Sequence, residues 1–241
     1  MGTPLQIDES LSEDLKLWRY MDLARLVSLL DAKAIWLARA DTFRDKHEGR
    51  FPDEMRTLAE KAYEGFSADD LSLVRNAADF EDFLRKNTFI SCWHKNIDEN
   101  MAMWEIYGRD MNAVAVQTTV GRIKCGTDSS KLQGHSLLLK PVLYQSTEEV
   151  SGVLPYEHCF FRKRPHFSFE QEVRISLDTY SPKNPTKDTP HGHQLPCSVK
   201  TLIESIYVHP DSANWFLNVV KSIAEHYYVD VDVTGGRFGN T

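Results

Sequence analysis

Apolar and polar positions change period several times along this chain, and each change marks an element. Leu15, Leu17 and the aromatic pair around Arg19 in "LKLWRY" read as a short strand from Leu15 to Tyr20. Asp22 then stands where a helix N-cap belongs, and Leu23, Leu26, Val27 and Leu30 fall at i, i+3, i+4 and i+7, an amphipathic stripe. "AIWLA" predicts a second strand over 34–38, and "RADTFRDKHEGRFP" a polar loop. Residues 52–87 read as a helical insert, with Ser67 a cap before "ADDLSLVRNA". "TFISCWH" predicts a buried strand over 88–94, followed by a helix that Asp98 starts and Gly108 closes.

Strands dominate from there: "NAVAVQTT", "HSLLLKPVLY", "EVRISLD" and "ESIYVH". Asp211 is placed to cap a last helix, along which Trp215, Val219, Ile223 and Tyr227 track one face. "YYVDVDV" closes the pattern as a strand. The four prolines in residues 181–197 predict a long surface loop. The sum is an α+β fold, one domain over residues 1–241 with a helical insert at 52–87, built on a mainly antiparallel sheet.

Composition narrows the function classes. A formal net charge of −7 argues against wholesale electrostatic binding of nucleic acid and leaves room for a local basic groove. The four cysteines, Cys92, Cys125, Cys159 and Cys197, form no CxxC pair and read as reduced thiols. The polar start "MGTPLQIDESLSEDLK" lacks a charged-then-apolar pattern, and no long apolar run follows. The expectation is a cytoplasmic protein with no membrane partner.

Several constellations could carry chemistry. Glu170 and Glu172 in "FEQEVRI" stand two apart at the start of a predicted strand. Two carboxylates on one face repel unless each has its own partner or task, and glycosyl transfer divides such tasks between a charge stabiliser and a proton carrier. The alternative is a solvated strand face neutralised by Arg174. Arg19, in an apolar strand, needs an anion; a bound phosphate or the carboxylates of Asp45 or Glu48 would serve. Ser91 and Trp93 share one face of their strand, while Cys92 and His94 share the other, and Cys92 reads as core.

Asp45, His47 and Glu48 form a gripping or metal-binding loop, or one merely tucked in by Phe43. His191, His193 and Cys197 lack the second ligand pair of a zinc site and read as loop. Arg162, Lys163 and Arg164 make a basic turn that could steer a phosphate-bearing ligand. Met101, Met103, Trp104 and Tyr107 read as core packing.

Taken in order, these motifs resemble a bacterial family that carries a domain of unknown function. Its pattern is a Leu-x-Arg-Tyr strand (Leu17 to Tyr20), a Phe-x-Asp-x-x-Glu loop (Phe43, Asp45, Glu48), a Ser-x-Trp strand (Ser91 to Trp93), a "MWxxYG" helix and an E-x-E-x-R strand (Glu170 to Arg174). The order Arg, Ser, Glu-x-Glu also resembles the Arg–Ser–Glu class of ADP-ribosyltransferases, with Cys92-Trp93 where that class carries Thr-Ser. That resemblance implies a split-sheet fold and NAD as substrate. It also implies catalytic roles for Glu172, on the oxocarbenium-like ribose, and Glu170, on the incoming nucleophile.

Arg19, Tyr20, Ser91, Trp93 and His94 would then hold the dinucleotide, with Asp45, Glu48, Arg164 and Arg174 nearby. No resident metal is implied. The acceptor would be a macromolecule, protein or nucleic acid, and the biological setting a bacterial toxin or defence effector. Two other function classes stay open: a non-enzymatic module that senses a nucleotide or binds a partner, and a metal-dependent nucleic-acid-processing enzyme using Asp45, Glu48 and His94.

Overall fold

The computed structural model describes residues 2–64, 76–108, 111–146, 154–180 and 189–237. Its strands are β1 (Leu5–Ile7), β2 (Lys16–Asp22), β3 (Ala34–Arg39), β4 (Thr88–Lys95), β5 (Ala113–Thr119), β6 (Ser136–Pro141), β7 (Leu143–Tyr144), β8 (Arg162–Lys163), β9 (Glu172–Asp178), β10 (Gly192–Pro196), β11 (Ser205–Val208) and β12 (Asp232–Gly235). Its helices are α1 (Leu23–Ala32), α2 (Asp53–Tyr63), α3 (Ala77–Asn87), α4 (Met101–Met103), α5 (Val120–Gly126), α6 (Val199–Leu202) and α7 (Asn214–His226).

One large sheet runs in the order β1-β6-β9-β4-β2-β5-β11-β12, with β3 pairing to β4 and β10. Its ladders are antiparallel except β1 with β6 and β11 with β12. The predicted mainly antiparallel sheet is therefore present.

The sheet forks at β4. Along one edge β4 pairs continuously with β9, from Thr88↔Asp178 to His94↔Glu172. On its other edge, Lys95 and His94 pair with Leu17 and Trp18 of β2, while Ile90 and Phe89 pair with Ala38 and Arg39 of β3. Ser91, Cys92 and Trp93 lie between the two ladders with neither strand beside them.

Strand alternation divides the interior. Leu17, Met21, Phe89, Trp93, Val173, Ile175 and Leu177 enter one core with α1 and α7. Ile90 and Leu138 enter a second core with Phe51, Leu84, Phe160 and Phe161. Trp18, Tyr20 and Trp104 form a third. Each fully buried leucine or isoleucine removes enough apolar surface to contribute about 1.5–3 kcal/mol.

Local signals set most boundaries. Asp22 accepts from the Arg25 N–H at 2.8 Å and caps α1, which buries Leu26, Leu29 and Leu30. Four expectations need correction. Asn100, not Asp98, caps the next helix, because its side chain accepts from the N–H groups of Ala102 and Met103. That helix gives way to a π-helical turn over Trp104–Gly108.

Ala213, with no side-chain cap, precedes α7, and the buried stripe is Phe216, Val220 and Ala224. Trp215 is 60% exposed, so the expected stripe was out of phase by one residue. Residues 192–196 form β10 on β3, where Gly192 lets the Trp36 ring approach to 2.2 Å of the place a Cβ would occupy. The closing strand is shifted to Asp232–Gly235, since Tyr228 takes a left-handed φ of 55° after α7. Helices α2 and α3 fall within residues 52–87; the Ser67 cap lies outside the described residues.

Candidate active site

Glu172 opens β9, and alternation sends it to the opposite face from Val173, together with Arg174. Glu170 is not on that strand. It ends a 3-10 turn over Pro165–Glu170, and Gln171, at a φ of 39°, turns the chain into β9. The two glutamates therefore meet through shared partners, not through the two-residue period of a strand.

Arg174 is fully buried, and its Nε and Nη2 hold Glu172 in a fork at 2.9 and 3.0 Å. Its Nη2 also donates to Glu48 Oε2 at 2.7 Å, and its Nη1 to the Phe160 carbonyl at 2.6 Å. Lys163 Nζ closes the cluster, 2.9 Å from Glu172 Oε2 and 3.2 Å from Glu48 Oε1, and it donates to Glu170. Three carboxylates thus face two cations. With all five groups ionised, the cluster carries one excess negative charge.

The surroundings separate the two glutamates. Burial pushes Glu172 up, but Arg174 and Lys163 outweigh it and bring the carboxyl down to about 2. Burial prevails at Glu170, which stays above its ordinary value although Lys163 and Tyr107 favour the ionised form. Tyr107 donates to Glu170 Oε1 at 2.9 Å from the π-helical turn. Tyr144 accepts from the Glu172 N–H at 2.7 Å. Burial and Glu172 raise the Cys92 thiol on the same face, so it is no ready thiolate.

His94 lies across the ladder from Glu172, with Nδ1 2.6 Å from the Glu170 carbonyl. A carbonyl accepts only, so Nδ1 carries the hydrogen and Nε2, buried and unpartnered, is an acceptor. Burial holds this imidazole below its ordinary pKa.

Beside the cluster lies a cleft of about 520 Å³. Glu48 and Lys163 line it, with Asp45, Arg162 and Arg164. Arg164 reaches Asp45 at 3.4 Å and covers the Phe167 ring. Across the cleft, buried Glu81 binds Arg50 and Arg56 and accepts the Phe51 N–H at 2.9 Å, which ties the loop after β3 to α3.

The structure gathers Glu48, Glu170, Glu172 and Arg174, with His94 adjoining and Asp45 and Arg164 at the cleft. It does not bring Arg19, Ser91 and Trp93 to them. These three lie on the other face of β2 and β4, with Arg19 stacked 5.6 Å from the Trp93 ring centroid. Tyr20 shares neither group: its hydroxyl accepts from the Asn100 N–H at 2.7 Å and its ring packs on Trp104.

The counter-charge expected for Arg19 is also absent, because Asp45 and Glu48 are taken by Arg164 and by Arg174 with Lys163. Tyr107 and Tyr144 were not singled out for this cluster, and Lys163, read as part of a basic turn, is an ion-pair partner of all three carboxylates. Tyr107 was read as packing, yet it is 44% exposed and bonded to Glu170. Among the described residues no group of three His, Cys, Asp or Glu side chains is arranged to hold a metal.

No family model matches the chain, and no curated protein matches it. Among solved structures it is similar to DarT of Thermus sp. 2.9 in complex with NAD+, at 10% identity and a TM-score of 0.40 over 93% of this chain and 96% of that one. The same protein with carba-NAD+ gives 11% identity and a TM-score of 0.39 over 94% and 97%. With ADP-ribosylated ssDNA it gives 11% identity and a TM-score of 0.39 over 98% of each chain.

Proposed function

We propose that this chain is an NAD-dependent ADP-ribosyltransferase-like enzyme whose reaction centre is the Glu170/Glu172 cluster. One observation carries the reading: two carboxyls that share Lys163 are pushed in opposite directions, Glu172 down by Arg174 and Lys163 and Glu170 up by burial. Pairs pushed apart in this way mark a division of acid–base labour.

In the proposed step the bond between the ribose C1′ and the nicotinamide nitrogen breaks, and its electron pair leaves with nicotinamide. The ionised Glu172 favours the positive charge that develops on the ribose. Glu170 takes the proton of the incoming nucleophile as its bond to C1′ forms. The dinucleotide would occupy the cleft that Glu48 and Lys163 line. The acceptor, protein or nucleic acid, and a role as a bacterial toxin or defence effector belong to this proposal.

A second reading has its own support. Glu170 and Glu172 are 6% and 5% exposed and fully ion-paired, which suits a structural cluster in a non-enzymatic nucleotide-binding module. Purified protein incubated with NAD separates the two. Release of nicotinamide that is lost in E172Q supports the enzyme. A rise in melting temperature with NAD but no release supports the binding module, and neither effect overturns both.

A further inference from the structure

Glu99 lies just before α4 and is 4% exposed, yet no lysine or arginine side chain pairs with it among the described residues. N–H groups occupy both of its oxygens instead. The Trp104 indole donates to Oε2 at 3.0 Å, and the backbone N–H of Arg237, in the segment after β12, donates to Oε1. That segment lies flat against the carboxyl: a Cβ on Gly236 would stand 2.8 Å from Glu99 Oε2. The Gly236 N–H also donates to the Val208 carbonyl at 2.9 Å, which fixes the segment to β11.

Trp104 carries this attachment toward the glutamate cluster. It is fully buried and begins the π-helical turn, with its ring edge-on to Tyr20 at 4.9 Å and to His209 at 5.2 Å. Gly108 ends the turn so close by that a Cβ there would be 3.0 Å from the Trp104 ring. One indole therefore supports both ends of the turn, and between them Tyr107 donates to Glu170 Oε1 at 2.9 Å. A π-helical turn is rare and often marks a functional site. A buried polar group deprived of its partner seeks another, so loss of either donor to Glu99 is felt at the indole and at the turn it supports.

We propose that Glu99 is a positioning residue for Glu170: by holding the Trp104 indole, with the segment after β12 closing on its other oxygen, it sets the π-helical turn so that the Tyr107 hydroxyl meets the Glu170 carboxyl. The proposal rests on the reading in which Glu170 takes the nucleophile's proton, but it is tested on the ionisation of Glu170 and not on turnover. Four other groups face Glu170. Lys163 pairs with it, Glu172 and Tyr144 lie beside it, and His94 Nδ1 donates to its carbonyl. Glu99 bonds to none of them. The other path from Trp104 runs through Tyr20 to His94, whose rings are 6.2 Å apart.

Glu170 can be watched directly. In protein labelled with carboxyl-¹³C glutamate, its resonance is identified by its loss in E170Q, and its midpoint is read by pH titration. Three variants disturb Glu99. Glu99→Gln replaces one accepting oxygen with an amide nitrogen that only donates. Arg237→Pro deletes the single backbone N–H. Arg237→Ala gives up the same side chain, with its exposed 3.7 Å ion pair to Asp98, but keeps that N–H.

Glu99→Gln and Arg237→Pro should each raise the Glu170 midpoint by about half a pH unit, the direction expected when the Tyr107 bond weakens. Arg237→Ala should leave it at the parent's value. In a Tyr107→Phe background, Glu99→Gln should add nothing further. If Glu99→Gln does not fold, Arg237→Pro, which lies outside every strand and helix, carries the same comparison. The proposal is overturned if both variants lower the melting temperature and leave the midpoint unmoved, as for a purely structural latch. It is also overturned if the disturbance moves the midpoint equally with and without the Tyr107 hydroxyl, as for a path through Tyr20. Failure to release nicotinamide speaks to the transferase reading alone, because these midpoints are measured without substrate.

Discussion

Two faces of the same three strands handle charge in opposite ways. On one face, Glu48, Glu170, Glu172, Arg174 and Lys163 meet within 3.2 Å or less, and every carboxylate has a cation. On the other, Arg19 has no carboxylate partner among the described residues and lies over the ring of Trp93, whose indole N–H, like the Ser91 hydroxyl, is buried without a hydrogen bond. Ser91 and Trp93 are buried as deeply as the ion cluster, whereas Arg19 is only part-buried. A compensated cluster is held rigidly and its protonation states are set by neighbours. An uncompensated set of donors is the part of a fold that a ligand can complete.

The widest gap should appear when one arginine is removed from each face. Arg174→Met strands Glu172 and Glu48 with Lys163 alone and frees the Phe160 carbonyl. Removing one partner of a buried pair costs about 3–5 kcal/mol. Arg19→Met strands no carboxylate and should change stability by about 1 kcal/mol or less. Urea denaturation of both variants beside the parent measures this, and equal losses would erase the contrast between the faces.

Acid titration sharpens the same contrast. Glu172 has a folded pKa of about 2 against an ordinary 4.5, so its ionised form is favoured by folding. Its contribution is present in full above about pH 4.5 and is lost as pH falls through the window toward 2, on the order of 3 kcal/mol. Glu170 is raised, so it works in the opposite sense, its contribution fading as pH rises above the ordinary carboxyl value. Stability curves for the parent and Glu172→Gln should therefore converge as pH falls from 4.5 toward 2. Parallel curves would show that Glu172 is not the ion the cluster holds.

Period alone placed the strands that carry both faces. The run "EVRISLD" is β9 to the residue, and "TFISCWH" is β4 but for Lys95. It also put Ser91 with Trp93 and Cys92 with His94 on opposite faces. What it could not supply was register between distant strands: the Glu48–Arg174 contact spans 126 residues, and nothing local announces it. The motif order Arg, Ser, Glu-x-Glu suggested one shared cleft, but a pleat reverses direction at each residue, and β9 delivers Glu172 to the far side.

Other misses were local. The π-helical turn turns Tyr107 out of the packing stripe that "MWEIYG" implied, and the glycine and proline of "HGHQLPC" concealed an edge strand. In α7, Trp215 and Phe216 are adjacent aromatics, and hydropathy does not say which of them the core takes.

Catalysis gives the next step down in scale. If the charge-compensated face is the reaction centre, Glu172→Gln should slow nicotinamide release by about 100-fold or more, near 2.7 kcal/mol. Arg19→Met should leave that release within about threefold of the parent, since its side chain lies on the other face. Single-turnover assays at saturating NAD separate the chemical step from binding. Equal losses in the two variants would mean that both faces serve one site, against the geometry described.

The smallest effect tests how finely Glu170 is tuned. Tyr107 donates to its Oε1 from a half-exposed position, so water can take over when the hydroxyl is removed. Tyr107→Phe should therefore change stability by about 1 kcal/mol or less. Its chemical consequence has a definite sign. The hydroxyl favours the ionised form of Glu170, so its loss raises a pKa that burial already holds high. If Glu170 accepts the nucleophile's proton, the acid limb of the pH–rate profile for transfer moves to higher pH, while the rate on the plateau stays near the parent's. Burial and Glu170 push the Tyr107 hydroxyl itself upward, so it stays protonated across this range and its own ionisation cannot imitate the shift. Profiles of parent and variant that superimpose would remove Glu170 as the proton acceptor and leave Tyr107 a capping contact on a structural ion cluster.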